Sequence, residues 1–277
     1  MQLQAVNELL IEHISLPSAY LERTVEIDFY LPKNVADPAA LELLLINDGQ
    51  NLAEMDFAAQ LQQMLNNHEV RPLLAVGIYA GPERKMEYGV IGQADYLGRG
   101  AKAGNHADFV MEELVPYIRE HYFLPFLNKA AYAGFSLGGL SALDMTWNYP
   151  DFFRQAGVFS GSLWWRSVDQ NDPAYHDDQH RIMQQVIRKG ELRPGLRFFF
   201  QSGNMDETAD RNHNGIIDSI DDTLDLIKEL EAKGYDRQRD IHYLELADGK
   251  HDIPTWGRAL PNFLRWGFQR GEVRSER

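Results

Sequence analysis

Six short apolar runs constrain this chain more than any other feature. They are "LELLLIN" (41–47), "LLAVGIYA" (73–80), "AAYAGF" (130–135), "AGVFS" (156–160), "LRFFFQS" (196–202) and "IHYLELA" (241–247), and each ends in, or is directly followed by, Gly, Ser, Asn or Asp. Strands covered on both faces read this way, because neither side meets water. Helix-period segments separate them. "NLAEMDFAAQLQQMLNN" puts Leu52, Met55, Leu61 and Met64 near one face, and "HADFVMEELVPYIREHY" groups Phe109, Leu114, Tyr117 and Ile118, with a kink expected at Pro116. "DSIDDTLDLIKELEAKGY" runs to a capping glycine, Gly234. "IPTWGRALPNFLRWGF" is expected to be a weaker helix, interrupted by Pro261.

One earlier segment differs. In "RTVEIDFYLP", Val25, Ile27 and Phe29 alternate with Glu26 and Asp28, the pattern of an antiparallel edge strand with one wet face. An antiparallel start followed by alternating β and α predicts a mostly parallel, doubly wound α/β sheet with helices on both faces. Its functional loops then follow the strand C-termini. We expect a single domain over 1–277, with a polar insertion around 161–194. The chain has 277 residues and 44% hydrophobic residues, enough for a substantial core.

Other bulk properties exclude functions. The formal net charge of −14 disfavours nucleic acid and anionic membrane as partners. The absence of cysteine excludes disulfides, thiolate metal sites and a cysteine nucleophile. No stretch reaches the roughly 18–20 apolar residues of a membrane span. "MQLQAVNELLIEH" lacks the basic and apolar regions of a signal peptide, so the chain as given reads as cytoplasmic.

"GFSLG" (134–138) fits G-x-S-x-G between an expected strand and an expected helix. Such a serine sits on a strained turn with its hydroxyl clear of the sheet, and the helix start favours developing negative charge. The other reading is a glycine-rich turn with an idle serine. A serine nucleophile needs a base, and sheets of this kind order the residues Ser, acid, His. His251, in the loop "ADGKHDIPTW" after the last strand, is the candidate. His242 falls inside a strand, and His213 falls in a polar loop. The acid follows "LRFFFQSG", where Asp206 comes first, ahead of Glu207 and Asp210. The oxyanion would be held by the backbone N–H groups of Leu137, after the serine, and Gln50, in the turn begun by Gly49.

Together, "INDGQN", "VGIYAGPERKMEYGV", "AYAGFSLGG", "FSGSLWW" and "GKHDIPTW" resemble the putative-esterase family, over roughly residues 20–270. The family includes enterobactin esterases, S-formylglutathione hydrolases, feruloyl and acetyl-xylan esterases and mycolyltransferases. The resemblance implies an α/β-hydrolase fold, a Ser-His-acid triad and small-molecule carboxylic-ester substrates, with no organic cofactor. It places the nucleophile on Ser136, the base on His251 with Trp256 behind it, the acid on Asp206 and the oxyanion turn on Gly49 and Gln50. It also implies an arginine-bearing loop in "GPERKMEYG". Arg84, Glu87 and Tyr88 then either rim the pocket or form a structural ion pair and a packed ring. Trp164 and Trp165 either wall the pocket or pack in the core.

The function this predicts is serine ester hydrolysis through an acyl-enzyme. Acyl transfer by the same triad and a non-catalytic binding module are the alternatives. Oligomeric state has no signature here.

"DRNHNGIIDSIDD" departs from a minimal esterase. Asp210, Asn212, Asn214, Ile216 (by its carbonyl), Asp218 and Asp221 fall at the ligand spacing of an EF-hand-like loop, with Gly215 at the turn. A structural Ca²⁺ is one reading. An Asn/Gly-rich turn leading into an acid-rich helix start is the other.

Overall fold

The alternation in "RTVEIDFYLP" becomes strand β2 (Arg23–Pro32), in a computed structural model that describes residues 8–33, 35, 41–122 and 130–270. Val25, Ile27 and Phe29 are fully buried. Glu26 and Asp28 face the other way, where both contact the His13 ring. His13 belongs to β1 (Leu9–Ser18), which pairs antiparallel with β2, Leu9 opposite Pro32 and Ser18 opposite Arg23. The edge is therefore β1, not β2 as the alternation suggested. The apolar-run reading passes over β1 because its Leu10 and Ile11 are exposed. Residues 1–7 of the N-terminal stretch lie outside the described residues.

The apolar runs form β3 (Glu42–Asn47), β4 (Leu73–Ile78), β5 (Ala130–Phe135), β6 (Phe153–Phe159), β7 (Arg197–Met205) and β8 (Ile241–Lys250). One sheet takes the order β1-β2-β4-β3-β5-β6-β7-β8, parallel from β4 to β8. With β1 and β2 antiparallel, this is the α/β-hydrolase arrangement. β4 and β5 are buried at every position, as runs without alternation require.

Helices cover both faces. α1 (Phe57–Asn66) and α9 (Ile253–Phe268) pack one side through Leu61, Leu65, Leu260 and Phe263. α2 (Arg84–Glu87) is a single turn after β4. On the face that holds Phe109, α3 (Ala103–Asp108) continues through a π-helical stretch, Phe109–Leu114, into α4 (Val115–His121). The expected irregularity at Pro116 takes this form. Proline has no N–H and its ring crowds the carbonyl four residues back, so the preceding turn widens instead of breaking. α5 (Leu137–Asn148) and α8 (Asp218–Lys233) also pack the sheet, and Gly234 caps α8 at φ 115°. Residues 161–194 carry α6 (Asp177–His180) and α7 (Ile182–Lys189), and their Trp165, Met183 and Ile187 join that same core.

The expectation at Pro261 is corrected. α9 passes through it without a break. The helix loses one hydrogen bond there, and burial of Trp256, Leu260, Phe263 and Leu264 along one face outweighs the loss. Among the described residues, no helix is long and apolar enough to cross a membrane.

Candidate active site

Ser136 joins β5 to α5 with φ 54° and ψ −120°, a region that costs a non-glycine residue about 1–3 kcal/mol. Backbone bonds on both sides hold it there. Its N–H donates to the Phe159 carbonyl at 2.8 Å, and its carbonyl accepts from Ser162 N–H at 3.1 Å. The bend closes only with glycines around it. A Cβ on Gly134 would collide with the Gly138 carbonyl, and one on Gly138 would meet Asp48 Oδ2 at 2.7 Å. A buried polar chain adds a further tie: Tyr132 donates to Asn47 Oδ1 at 2.9 Å, and Asn47 Nδ2 donates to the Gly138 carbonyl at 2.9 Å.

Leu137 opens α5, so its N–H has no acceptor within the helix. Gln50 sits in the 3₁₀ turn Gly49–Asn51 after β3, entered through Asp48 at φ 59°. Its side chain is anchored by the Ala80 N–H, which donates to Oε1 at 3.0 Å. Gln50, Ser136 and His251 line one pocket of about 510 Å³.

His251 follows β8. Its Nε2 lies 2.9 Å from Ser136 Oγ. Trp256, from the first turns of α9, stands edge-on to the imidazole at 5.2 Å between ring centroids. Burial pushes the His251 pKa below its ordinary value, the charge of Asp206 works against that, and Arg84 adds to it. The neutral ring is therefore favoured at neutral pH, and a neutral ring can accept a proton.

Asp206 lies one residue past β7 and accepts the Gly203 N–H at 3.1 Å. Burial raises its pKa, while the Gly203 N–H, the Ser160 hydroxyl and His251 lower it. Its Oδ1 is buried and has no hydrogen-bond partner among the described residues. The ends of β7 and β8 approach closely. A Cβ on Gly203 would lie 2.5 Å from the Gly249 carbonyl carbon and 2.6 Å from Asp206 Oδ1. The pairing shifts at the same point, where Gly203 to Met205 on β7 is matched by Leu246 to Lys250 on β8. Two extra residues of β8 are thus looped out just before His251. Of the rival carboxylates, Asp210 is engaged elsewhere, accepting the Asn214 and Gly215 N–H groups at 3.1 and 2.9 Å, and Glu207 has its pKa raised by burial, with Asp218 and Asp222 adding to it.

The other pocket candidates separate. Arg84 lines the pocket and also forms a two-pronged ion pair with Asp48, at 2.6 and 2.7 Å. Tyr88 does not line it. The ring is 1% exposed, lies 5.2 Å beneath the Arg84 guanidinium, and its hydroxyl accepts the Asp48 N–H at 3.4 Å. Glu87 is likewise 1% exposed and takes both prongs of Arg23, at 2.8 and 2.7 Å. Trp165, 1% exposed, is core. The Arg99 and Arg166 guanidiniums lie 5.2 and 5.4 Å from the Trp164 ring, which lines a separate pocket of about 280 Å³ shared with Glu207.

In the 210–221 loop, the Asp210 carboxylate accepts Asn214 N–H at 3.1 Å and Gly215 N–H at 2.9 Å. The Asn212 and Asn214 amides both donate to Asp221 Oδ2, at 2.9 and 2.7 Å. Asn214 Oδ1 accepts the Ile216 N–H at 2.8 Å, and Asp218 accepts from Arg211 N–H at 2.9 Å. Among the described residues, no three His, Asp or Glu side chains converge as metal ligands.

A profile of the family described as "Putative esterase" matches residues 18–266. Several solved structures are similar. An enterobactin esterase from Shigella flexneri, in the presence of enterobactin, is 22% identical with a TM-score of 0.72, over 94% of this chain and 58% of that one. A ferulic acid esterase is 17% identical with a TM-score of 0.67, over 95% and 98% of the two chains. An IroE-like serine hydrolase from Shewanella oneidensis is 18% identical with a TM-score of 0.66, over 92% and 80%. At these identities the likeness is one of fold. The chain spans under three fifths of the length of the Shigella enterobactin esterases it matches. No curated protein matches it in a sequence comparison.

Proposed function

The chain belongs to the putative-esterase family, and from that premise we propose that Ser136, His251 and Asp206 hydrolyse a small carboxylic ester through an acyl-enzyme. The observation that carries this reading is the 2.9 Å contact between His251 Nε2 and Ser136 Oγ, on a serine held at φ 54°.

His251 Nε2 takes the Ser136 proton as Oγ attacks the ester carbonyl carbon. Charge moves to the carbonyl oxygen, where the Leu137 and Gln50 N–H groups stabilise it. The bond to the alcohol oxygen breaks, and the leaving alkoxide takes the proton from His251. Water then gives a proton to His251 and attacks the acyl carbon. The acid departs and Ser136 regains its proton. Asp206 supports the imidazolium in both halves. The Arg84–Asp48 pair holds the turn that presents Gln50.

The test is turnover of p-nitrophenyl acetate and butyrate with intact mass spectrometry, beside Ser136→Ala. The expected result is a one-to-one acyl adduct that is missing in the variant. Folded protein with neither adduct nor turnover overturns the proposal for simple esters.

A further inference from the structure

Ser162 lies in the loop after β6 and is 5% exposed. The turn that carries it is held at several points. A Cβ on Gly161 would collide with Val158, Leu163 N–H donates to the Gly161 carbonyl at 2.7 Å, and Trp165 N–H donates to the Ser162 carbonyl at 3.2 Å. Gln184, from α7, donates to the Leu163 carbonyl at 3.1 Å. The Ser162 N–H in turn binds the Ser136 carbonyl at 3.1 Å. The loop backbone is thus tied to the residue that carries the nucleophile.

The side chain repeats the connection. Among the described residues, Ser162 Oγ has one hydrogen-bond partner, Ser136 Oγ at 3.4 Å. A buried hydroxyl needs a partner, and this one finds it in the attacking atom. Counting protons sets the direction of the bond. Ser136 has a single hydroxyl hydrogen, and the neutral His251 Nε2, at 2.9 Å, accepts it. The hydrogen between the two serines therefore belongs to Ser162. Catalytic hydrogen bonds are often long before substrate binds and tighten afterwards.

The four directions around Ser136 Oγ are then all assigned. One is the bond to Cβ, one is the hydrogen given to His251, and one is a lone pair that accepts from Ser162. The remaining lone pair is left for the ester carbonyl.

We propose that Ser162 is a further catalytic residue, whose hydroxyl donates to Ser136 Oγ, fixes the rotation of that oxygen, and meets the charge that gathers on it as its proton leaves. This rests on the triad reading above. Ser162 keeps its own hydrogen throughout. In acylation the Ser136 hydrogen passes to His251 while Oγ bonds to the carbonyl carbon. In deacylation the bond from Oγ to the acyl carbon breaks, its electron pair returns to Oγ, and the same donor meets it.

The test compares the parent with Ser162→Ala, Ser162→Thr and Ser136→Ala. It uses thermal melting, kcat/KM on p-nitrophenyl acetate across pH, and the rate of labelling by a fluorophosphonate, followed by intact mass spectrometry. That reagent bonds Ser136 Oγ to phosphorus, expels fluoride and passes the serine proton to His251, so it reads the nucleophile without an ester. Ser162→Ala melts within about 4 °C of the parent. Its labelling rate and its kcat/KM both fall about tenfold. The acidic midpoint of kcat/KM stays in place, because His251 and Asp206 are untouched. Ser162→Thr retains the hydroxyl and labels within about threefold of the parent rate.

Unchanged labelling and kcat/KM in folded Ser162→Ala overturn the role of Ser162 alone. A loss in Ser162→Thr as deep as in Ser162→Ala, at the parent melting temperature, also overturns it, because the hydroxyl is then not what matters. A shifted midpoint moves the effect to His251 and overturns the role at Oγ. A parent that takes no label, or a Ser136→Ala variant that takes as much, removes the triad reading, and the Ser162 proposal falls with it.

Discussion

Around Ser136 the chain is fixed backbone to backbone: Phe159 and Ser162 bond its main chain, and Gly134 lies against Gly138. Around His251 and Asp206 it is fixed mainly by side chains: Trp256, Ser160, and a carboxylate folded back on Gly203. The first region carries strain that its own surroundings determine. The second is assembled from three separate strand ends and leaves Asp206 Oδ1 without a hydrogen-bond partner among the described residues. A nucleophile needs a fixed location, whereas an acid–base pair must change its charge state and adjust its hydrogen bonds in each turnover.

Substitutions can break or sharpen that contrast. The largest expected effect is Ser136→Ala, which lowers kcat by about 10³-fold or more while the melting temperature holds. Steady-state kinetics and calorimetry read both. A paired test comes next. Gly134→Ala drives a Cβ into backbone, and denaturant melts should show a loss of about 3 kcal/mol or more. Gly249→Ala meets Gly203 Cα and Leu246 Cβ at 2.9 Å, so the loss is smaller, about 1–3 kcal/mol. Its kcat still falls about 10–100-fold, because the acid and base move apart. If Gly249→Ala unfolds as readily as Gly134→Ala, the two regions are equally rigid and the contrast fails.

Asp144 tests the rigid side further. Its buried carboxyl accepts the Ile91 N–H at 2.9 Å and is pushed up to about 7 by burial. The folded state therefore holds a proton that the unfolded state releases near its ordinary value. This contribution is present at low pH and is lost as pH rises from about 4 to 7. Asp144→Asn should match the parent at pH 4 and exceed it by about 1–3 kcal/mol at pH 8, read from denaturant melts. The smallest effect concerns the adjustable side. With the His251 pKa lowered by burial, the acidic limb of kcat/KM should fall below the ordinary histidine midpoint of 6.5. A midpoint above it would mean that the Asp206 charge outweighs burial.

Legibility in the sequence followed the same division. The six apolar runs announced β3 to β8 because burial on both faces removes alternation, and β1 escaped because an edge strand with exposed Leu10 and Ile11 has no such run. Pro261 read as a break because letters show a missing N–H but not the core packing that overrides it. Ser136 stood out because its turn is local, and His251 because strand order places its loop. Tyr88 and Trp165 were ambiguous because pocket wall and core use the same residue types. The ties between Asn47 and Gly138, Gly203 and Gly249, and Ser160 and Trp256 join distant segments, and no single segment carries their signal.

The rim of the pocket has a consequence for the end of the reaction. Glu54 and Asp252 stand on it, in a molecule of formal charge −14. Among the described lining residues the one cation, Arg84, is already paired with Asp48, so an uncharged ester enters without opposition, but hydrolysis converts it to an anion facing a net like charge. Coulomb repulsion then acts only on the product and pushes it toward solvent. Each turnover is thereby cleared by a field that the arriving substrate does not feel, and added salt, by screening that field, prolongs the stay of the acid.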